Sequence, residues 1–202
     1  MNYELLKQHI NPEPNTILDI GAHRGEFTSM CGKQFPNASF FLIEAEEYHK
    51  HMLVAHKHLI AYLSDVSEEK TFYKTRFMTG NSGDSFYKEN TNYYSIDGVI
   101  EEKVKTTTLD EIFVNGEVFD FVKIDTQGSE LDILKGGVNL LKNTYAFLLE
   151  VSLSNYNIGA PKKEEVTKYM EKMGFTKQIV ISEIYNNFDN KELIQQDVLF
   201  LK

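Results

Sequence analysis

Cysteine and runs of basic residues are scarce in this 202-residue sequence. The single cysteine, Cys31, excludes an internal disulfide, and its position in a predicted helix favours a small buried side chain over a reactive thiol. Acidic residues outnumber basic ones 30 to 21, giving a net charge of -9, and the longest run of Lys or Arg is the pair Lys162 and Lys163. These features argue against a nucleic-acid partner.

Long apolar runs are also missing. No run approaches the roughly 18 residues of a membrane-spanning helix, and the first residues, MNYELLKQHI, lack the basic flank and apolar stretch of a signal peptide. We therefore expect a cytoplasmic protein without membrane insertion. The length predicts one domain over residues 1–202, with residues 1–14 as an N-terminal helical extension. The oligomeric state stays open at this stage.

Short apolar runs alternate with segments of helical period along the chain. The predicted strands are NTILDI, SFFLIEA, HLIAYLS, FDFVKID, YAFLLEV, KQIVISEIY and DVLFLK. The predicted helices cover residues 27–35, 46–57, 130–135 and 162–173. This alternation predicts an α/β fold with a mostly parallel sheet and right-handed crossovers. No helix separates the last two runs, so we expect them to pair antiparallel at the end of the sheet.

The stretch from residue 75 to residue 98 shows no clear period. Irregular loops of this length are uncommon in compact domains unless they are lids or binding loops. Its aromatic residues are Phe77, Phe86, Tyr87, Tyr93 and Tyr94. We predict a lid or acceptor loop here, and burial against the sheet edge is an equal alternative.

The segment ILDIGAHRG combines a strand end with a glycine turn. Gly21 allows a sharp turn after Asp19, and Gly25 lets a cofactor approach the backbone. Glu44 ends the next predicted strand, at the spacing of an acid that hydrogen-bonds a ribose diol. A dinucleotide motif needs a third glycine, and Asp19 beside the turn would repel phosphates. The pattern therefore favours S-adenosylmethionine, which carries a sulfonium and no phosphate.

Several blocks of the sequence resemble the FkbM-type methyltransferases, a branch of the class I S-adenosylmethionine-dependent enzymes. The blocks are ILDIGAHRGEF, LIEA, YLSD, TGNSGDSF, VKTTTLDEI, FVKIDTQGSELDILKGG, LLEVSLSNYNIG and QQDVLFLK. The resemblance implies a Rossmann-like, seven-stranded and mostly parallel sheet with an antiparallel last strand and helices on both faces. It also implies methyl transfer, usually to oxygen.

The resemblance also implies roles for individual residues. Cofactor-binding roles are implied for Asp19, Gly21, Ala22, His23, Gly25, Glu44, Ala45, Ser64 and Asp65. Within this set, Ser64 and Asp65 would contact adenine, although Asp65 is alternatively a helix or turn cap. The resemblance further implies that Asn81, Ser82 and Ser85 belong to a loop near the acceptor pocket. The chain departs from many relatives in carrying Gln127 where they have an acid, which puts a catalytic role for this position in doubt.

The candidate catalytic residues are Lys123, Asp125 and Glu150. Strand alternation places Lys123 and Asp125 on one face of FDFVKID, with Asp125 at the carboxyl end, and Glu150 ends the neighbouring strand. The two carboxylates could share a proton, so that one acts as a base, or hold a divalent metal. Alternatively, Asp125 binds the cofactor's ammonium while Glu150 forms an ion pair with Lys123.

The histidines are weaker candidates. His49, His51, His56 and His58 crowd one segment but lack the partners of a zinc site, so we expect them on a solvated helix face. For His23 we expect backbone contact with the cofactor and an exposed ring.

Three function classes follow. The first is an S-adenosylmethionine-dependent O-methyltransferase acting on a small or carbohydrate acceptor, because tyrosines of the predicted lid can stack on a sugar. The second is a nicotinamide-dependent oxidoreductase, and the third is a non-catalytic cofactor-binding domain of a larger protein.

Overall fold

A central seven-stranded sheet organises the protein, as seen in a computed structural model that describes residues 1–75, 83–90, 98–185 and 192–202. The strands in chain order are β1 (Thr16–Ile20), β2 (Ser39–Glu44), β3 (Lys57–Ile60), β4 (Tyr62–Leu63), β5 (Glu69–Thr75), β6 (Val99–Thr107), β7 (Phe121–Ile124), β8 (Ala146–Ser152), β9 (Lys177–Tyr185) and β10 (Leu193–Leu201). The order in the main sheet is β3-β2-β1-β7-β8-β10-β9.

Helices lie between most of these strands. They are α1 (Tyr3–His9), α2 (Glu26–Gln34), a 3-10 helix (Glu47–Met52), α3 (Leu109–Ile112), α4 (Glu130–Lys135), α5 (Val138–Asn143) and α6 (Lys163–Lys172). Thr108 and Glu111 form the reciprocal capping hydrogen bonds at the start of α3. None of the helices in the described ranges combines the length and the apolar character needed to cross a bilayer.

The predicted α/β class and the antiparallel end of the sheet are confirmed. In the main sheet, the five strands β3, β2, β1, β7 and β8 pair with their neighbours in parallel. The strand β10 runs antiparallel to both β8 and β9. The last strand in sequence is therefore inserted between β8 and β9. Because β10 runs in the opposite direction, its first residues lie at the edge where β7 and β8 end.

Two apolar clusters cover the two faces of the sheet. One contains Leu18, Val122 and Leu149 together with residues of α4 and α6. The other contains Ile17 and Phe121 together with residues of α1 and α2, including the buried Cys31. Alternate residues of one strand thus serve opposite faces, which confirms helices on both sides of the sheet.

A second, three-stranded sheet in the order β4-β6-β5 was not predicted. The prediction of one continuous strand over HLIAYLS is wrong. The strand β3 ends at Ile60, which pairs with Glu44 at the end of β2, and the chain beyond Ala61 forms the separate strand β4, which pairs with β6. The strands β5 and β6 carry mostly polar, partly exposed residues, so no apolar run marks them. The predicted helix over 46–57 is likewise shortened to the six-residue 3-10 helix.

The predicted lid is described only in part. Residues 76–82 and 91–97 lie outside the described residues, and with them Phe77, Asn81, Ser82, Tyr93 and Tyr94. The described part, 83–90, pairs through Ser85 with Tyr73 of β5 and through Glu89 with Asn157. The Ser85 hydroxyl donates to the carbonyl of Gln127 at 2.8 Å. This part of the loop is anchored against neighbouring elements, and whether the segment is a lid stays a prediction.

Gly21 stands where the turn after β1 approaches the end of β7. A Cβ at this position would lie 1.9 Å from the Asp125 carbonyl oxygen, and the φ of Gly21 is +72°. The close approach of two backbones therefore requires glycine here.

We predict that Gly21→Ala lowers the free energy of unfolding by more than about 3 kcal/mol, measured by urea denaturation. Gly116→Ala is the matched control, because Gly116 has a similar φ of +77° and a Cβ there would meet no atom of the described residues within 4 Å. It should cost only the left-handed backbone penalty of about 1 to 2 kcal/mol. Equal losses in the two variants would contradict the backbone contact.

Candidate functional site

A cavity of about 390 Å³ lies at the carboxyl ends of β1, β2, β7 and β8. Open α/β sheets bind ligands at this edge. The sequence-predicted residues that line it are Gly21, Ala22, His23, Glu44, Ala45, Lys123, Asp125 and Glu150. Of the other predicted residues that the structure describes, those outside the lining are Asp19, Gly25, Ser64, Asp65 and Ser85. The fold therefore brings both strand-end carboxylates and the glycine turn to one cavity.

Glu44 organises the turn after β1. One carboxylate oxygen accepts the His23 amide at 2.7 Å, and the other accepts the Glu46 amide at 2.9 Å. Burial raises the pKa of Glu44, and these amides oppose the rise. His23 has a positive φ of 50°, so the Glu44 carboxylate holds a strained turn at the rim of the cavity.

Lys123 joins β1 to β7 below the cavity. Its ammonium lies 3.4 Å from carboxylate oxygens of both Asp19 and Asp125, and it donates to the Gly21 carbonyl at 3.1 Å. Burial opposes the charge of Lys123, but Asp125 and Asp19 raise its pKa. Asp19 is fully buried and accepts a hydrogen bond from Thr28 at 2.7 Å. Asp19 thus acts on the cavity through Lys123 rather than by direct contact.

Glu150 and Asp125 are bridged by the side-chain amide of Gln127. Its nitrogen lies 3.1 Å from Asp125 Oδ1 and 2.8 Å from Glu150 Oε2. Gln195 of β10 donates to the same Glu150 oxygen at 2.9 Å. Burial, followed by the charges of Asp125 and Glu130, raises the pKa of Glu150 well above its usual value. The alternative ion pair between Lys123 and Glu150 is replaced by these glutamine contacts.

The Gln127 amide, as oriented, offers N–H groups to both carboxylates and no oxygen ligand to a divalent metal. The carboxylates of Asp125 and Glu150 face an N–H donor, which a cation would have to displace. Within the described ranges, no group of three or more His, Cys, Asp or Glu side chains is placed to hold a metal ion.

His49 differs from its predicted place on a solvated helix face. It is 2% exposed, lines the cavity, and its ring contacts the His23 ring edge-on at a centroid distance of 4.4 Å. Burial, together with the nearby His23 and Arg24, lowers the pKa of His49. The 3-10 helix brings His49 inward, and the spacing of the histidines carries no signal for this burial.

The wall of the cavity on the side of the small sheet is aromatic. Phe72 contacts both Tyr62 and Phe86, at centroid distances of 4.9 and 5.1 Å. Asp84 lines this side as well, and burial raises its pKa to about 6. Only Phe86 of this wall is named in the sequence analysis, as an aromatic residue of the predicted loop, because Tyr62 and Phe72 come from β4 and β5, which were not predicted as separate strands.

Ser64 and Asp65 lie beyond this wall. The Ser64 hydroxyl donates to Asp65 at 3.0 Å and accepts from the Lys70 ammonium at 2.7 Å. Their predicted contact with adenine therefore stays a prediction, while the preceding residues Ala61, Tyr62 and Leu63 line the cavity.

Two buried polar atoms in the lining lack hydrogen-bond partners in the described part of the chain. They are His49 Nδ1 and Ser129 Oγ, and both residues are 2% exposed. Buried polar groups are normally satisfied, so the lining provides unused positions for a polar ligand. Among the residues that the structure describes, Lys123 is the single Lys or Arg of the lining, which suits a cofactor without phosphates.

Glu130 holds the loop between β7 and α4. One of its oxygens accepts from the Thr126 and Gly128 amides, at 2.8 and 3.2 Å. Burial raises the pKa of Glu130 to about 7, although these amides oppose the rise.

We predict that Glu130→Gln makes the protein less sensitive to pH. Between the unfolded pKa of about 4.5 and the folded pKa of about 7, the folded wild type binds more protons than the unfolded chain, so its stability falls as pH rises. The variant should match the wild type at pH 4 and exceed it by up to about 3 kcal/mol at pH 8 in urea denaturation. Glu164→Gln, at an exposed glutamate, should show no such divergence. A stability difference that is constant with pH would refute this assignment.

Comparison with known proteins places the site in context. Among solved structures, the chain resembles the precorrin-6y C5,15-methyltransferase of Geobacter metallireducens GS-15, with 12% identity, a TM-score of 0.52, and coverage of 98% of this chain and 85% of that one. It also resembles the N-terminal domain of EvdMO1, determined in the presence of SAH and D-fucose, with 11% identity, a TM-score of 0.53, and coverage of 98% and 80%. These likenesses show a shared fold.

No curated protein matches the sequence significantly. The family model described as the methyltransferase FkbM domain matches residues 19–177, which span the glycine turn, Glu44, Asp125 and Glu150. The chain therefore belongs to the FkbM methyltransferase domain family.

Proposed function

We propose that this protein transfers a methyl group from S-adenosylmethionine to a hydroxyl group of a small or carbohydrate acceptor. The observation that carries the proposal is the amide-bridged pair Asp125 and Glu150, which lines the same cavity as Glu44. Glu44 thus offers a carboxylate for a ribose at one end of the cavity. At the other end, Glu150 offers a buried carboxylate whose pKa is raised.

The residues around the glycine turn would hold the cofactor. Glu44 and Ala45 would bind the ribose, and the backbone of Gly21, Ala22 and His23 would contact the methionine moiety. Ala61, Tyr62 and Leu63 are better placed for adenine than Ser64 and Asp65, whose side chains bond each other and Lys70. Ser85 supports the loop after β7 rather than lining the cavity, and a substrate role for Asn81 and Ser82 remains a proposal from resemblance.

S-adenosylmethionine, when bound, supplies an electrophilic methyl group on a sulfonium. The chain must therefore align an acceptor oxygen and remove its proton. Glu150 is the base that we assign, because its raised pKa brings it closer to neutral pH and base catalysis contributes roughly 10²- to 10⁴-fold. Asp125 lines the cavity with one carboxylate oxygen 3.4 Å from the Lys123 ammonium, and it would attract the cofactor's positive groups.

The charges of the lining support an uncharged acceptor. The acidic residues of the described lining are Glu26, Glu44, Glu46, Asp84, Asp125 and Glu150, against the single lysine Lys123. This lining would repel phosphorylated acceptors and nucleic acid, whereas the carboxylates can accept hydrogen bonds from sugar hydroxyls. The aromatic wall of Tyr62, Phe72 and Phe86 can pack against a sugar face. D-fucose in the EvdMO1 structure supports the same class of acceptor. A cytoplasmic location remains a proposal from sequence composition.

We predict that Glu44→Ala weakens S-adenosylmethionine binding roughly 10- to 100-fold in titration calorimetry, because a charged hydrogen-bond acceptor is lost. Glu117→Ala, at an exposed glutamate away from the cavity, is the control and should bind normally. NAD should give no binding heat with the wild type. Binding of NAD without binding of S-adenosylmethionine would overturn the cofactor assignment in favour of an oxidoreductase.

We predict that Glu150→Gln lowers kcat for methyl transfer roughly 10²- to 10⁴-fold while the Kd for S-adenosylmethionine changes little. Transfer is measured with radiolabelled methyl on neutral glycosides, lipids and amines. Glu164→Gln should behave as wild type. The base assignment fails if turnover and affinity both keep their wild-type values, and the acceptor class fails if label reaches only lipids or amines.

A further inference from the structure

We infer that Gln127 and Gln195 are positioning residues, which fix the Glu150 carboxylate in the orientation needed to take the acceptor's proton. This inference rests on the proposed function. The two glutamines come from separate parts of the chain, the loop after β7 and the start of β10, and converge on one oxygen of Glu150.

The hydrogen bonds leave the two oxygens of Glu150 in different states. Oε2 accepts both amides, at 2.8 Å from Gln127 and 2.9 Å from Gln195. Oε1 receives no hydrogen bond from the described residues, and Glu150 lines the cavity. One oxygen therefore fixes the rotation of the carboxylate, and the other is left for the acceptor hydroxyl.

Gln127, which contacts Glu150, has an unusual backbone conformation. Its φ of 55° is unusual for a residue other than glycine, and its carbonyl accepts the Ser85 hydroxyl at 2.8 Å. Its side-chain nitrogen donates to Asp125 as well as Glu150, so both hydrogens of the amide are used. An acid at this position would instead repel both carboxylates. The amide thus allows two acidic side chains to stand together.

Gln195 reaches Glu150 because β10 is antiparallel. Gln195 pairs with Ser152 of β8, two residues beyond Glu150, and its side chain is buried. The next residue, Gln196, is also buried but bonds elsewhere: its amide donates to Glu183 at 3.1 Å and its oxygen accepts from Lys163. Gln196 is therefore a matched control for Gln195, because it is a buried neighbour on the same strand that makes no hydrogen bond to Glu150.

The test compares Gln195→Met with Gln196→Met, since methionine keeps the chain length and removes the amide. Methyl transfer from radiolabelled S-adenosylmethionine is measured with D-fucose and a panel of neutral methyl glycosides. We expect Gln195→Met to lower kcat roughly 10- to 100-fold with little change in cofactor Kd, because a misaligned base is costly. Gln196→Met should keep the wild-type kcat.

A double-mutant cycle then separates positioning from folding. If Gln195 acts through Glu150, the kcat loss of Gln195→Met should vanish when Glu150→Gln is also present. Gln127→Met is the second variant, subject to the same cycle, should Gln195→Met fail to fold. A wild type that transfers no label to any glycoside overturns the proposed function and this inference together. An active wild type whose kcat is unchanged by Gln195→Met, or falls equally in both backgrounds, overturns the inference alone.

Discussion

The buried ammonium of Lys123 is the interaction on which the site depends. It is held between the carboxylates of Asp19 and Asp125 and donates to the Gly21 carbonyl, so it ties the turn after β1 to the end of β7. Removing one partner of such a buried group leaves a charge uncompensated, which typically costs about 3 to 5 kcal/mol. The same contact sets the floor of the cavity. One side chain thereby positions both the glycine turn and the proposed catalytic edge.

Above this floor, the cavity gathers several carboxylates, and three of them have hydrogen-bonding or charged partners. Glu44 accepts hydrogen bonds from backbone amides, Asp125 has Lys123 and the Gln127 amide as partners, and Glu150 accepts from two glutamine amides. The three carboxylates thus have different sets of partners. Burial raises the pKa of both Glu44 and Glu150, but backbone amides oppose the rise at Glu44, whereas neighbouring acids add to it at Glu150. The proposed binding of a cofactor cation and the proposed removal of a proton at one acidic edge rest on these differences.

Local sequence patterns predicted the residues whose position depends on one strand. Apolar runs located β1, β2, β7 and β8, and period-2 alternation correctly placed Lys123 and Asp125 near the cavity. Local patterns did not predict the antiparallel pair β5 and β6, whose residues are mostly polar. They also did not predict the burial of His49 by a short helix. Burial of these groups comes from packing between elements, so no local period records it.

The sequence by itself determined which chemical groups arrive at the edge of the sheet, because strand period and glycine turns act over a few residues. The family, the fold class and the carboxylates at the strand ends could all be predicted from it. Only the tertiary structure decided which groups meet. Lys123 pairs with Asp19 and Asp125 rather than with Glu150, and Gln195 reaches Glu150 from 45 residues away because β10 is inserted antiparallel beside β8. Such pairings depend on strand order and register, which are set by the packing of the whole core.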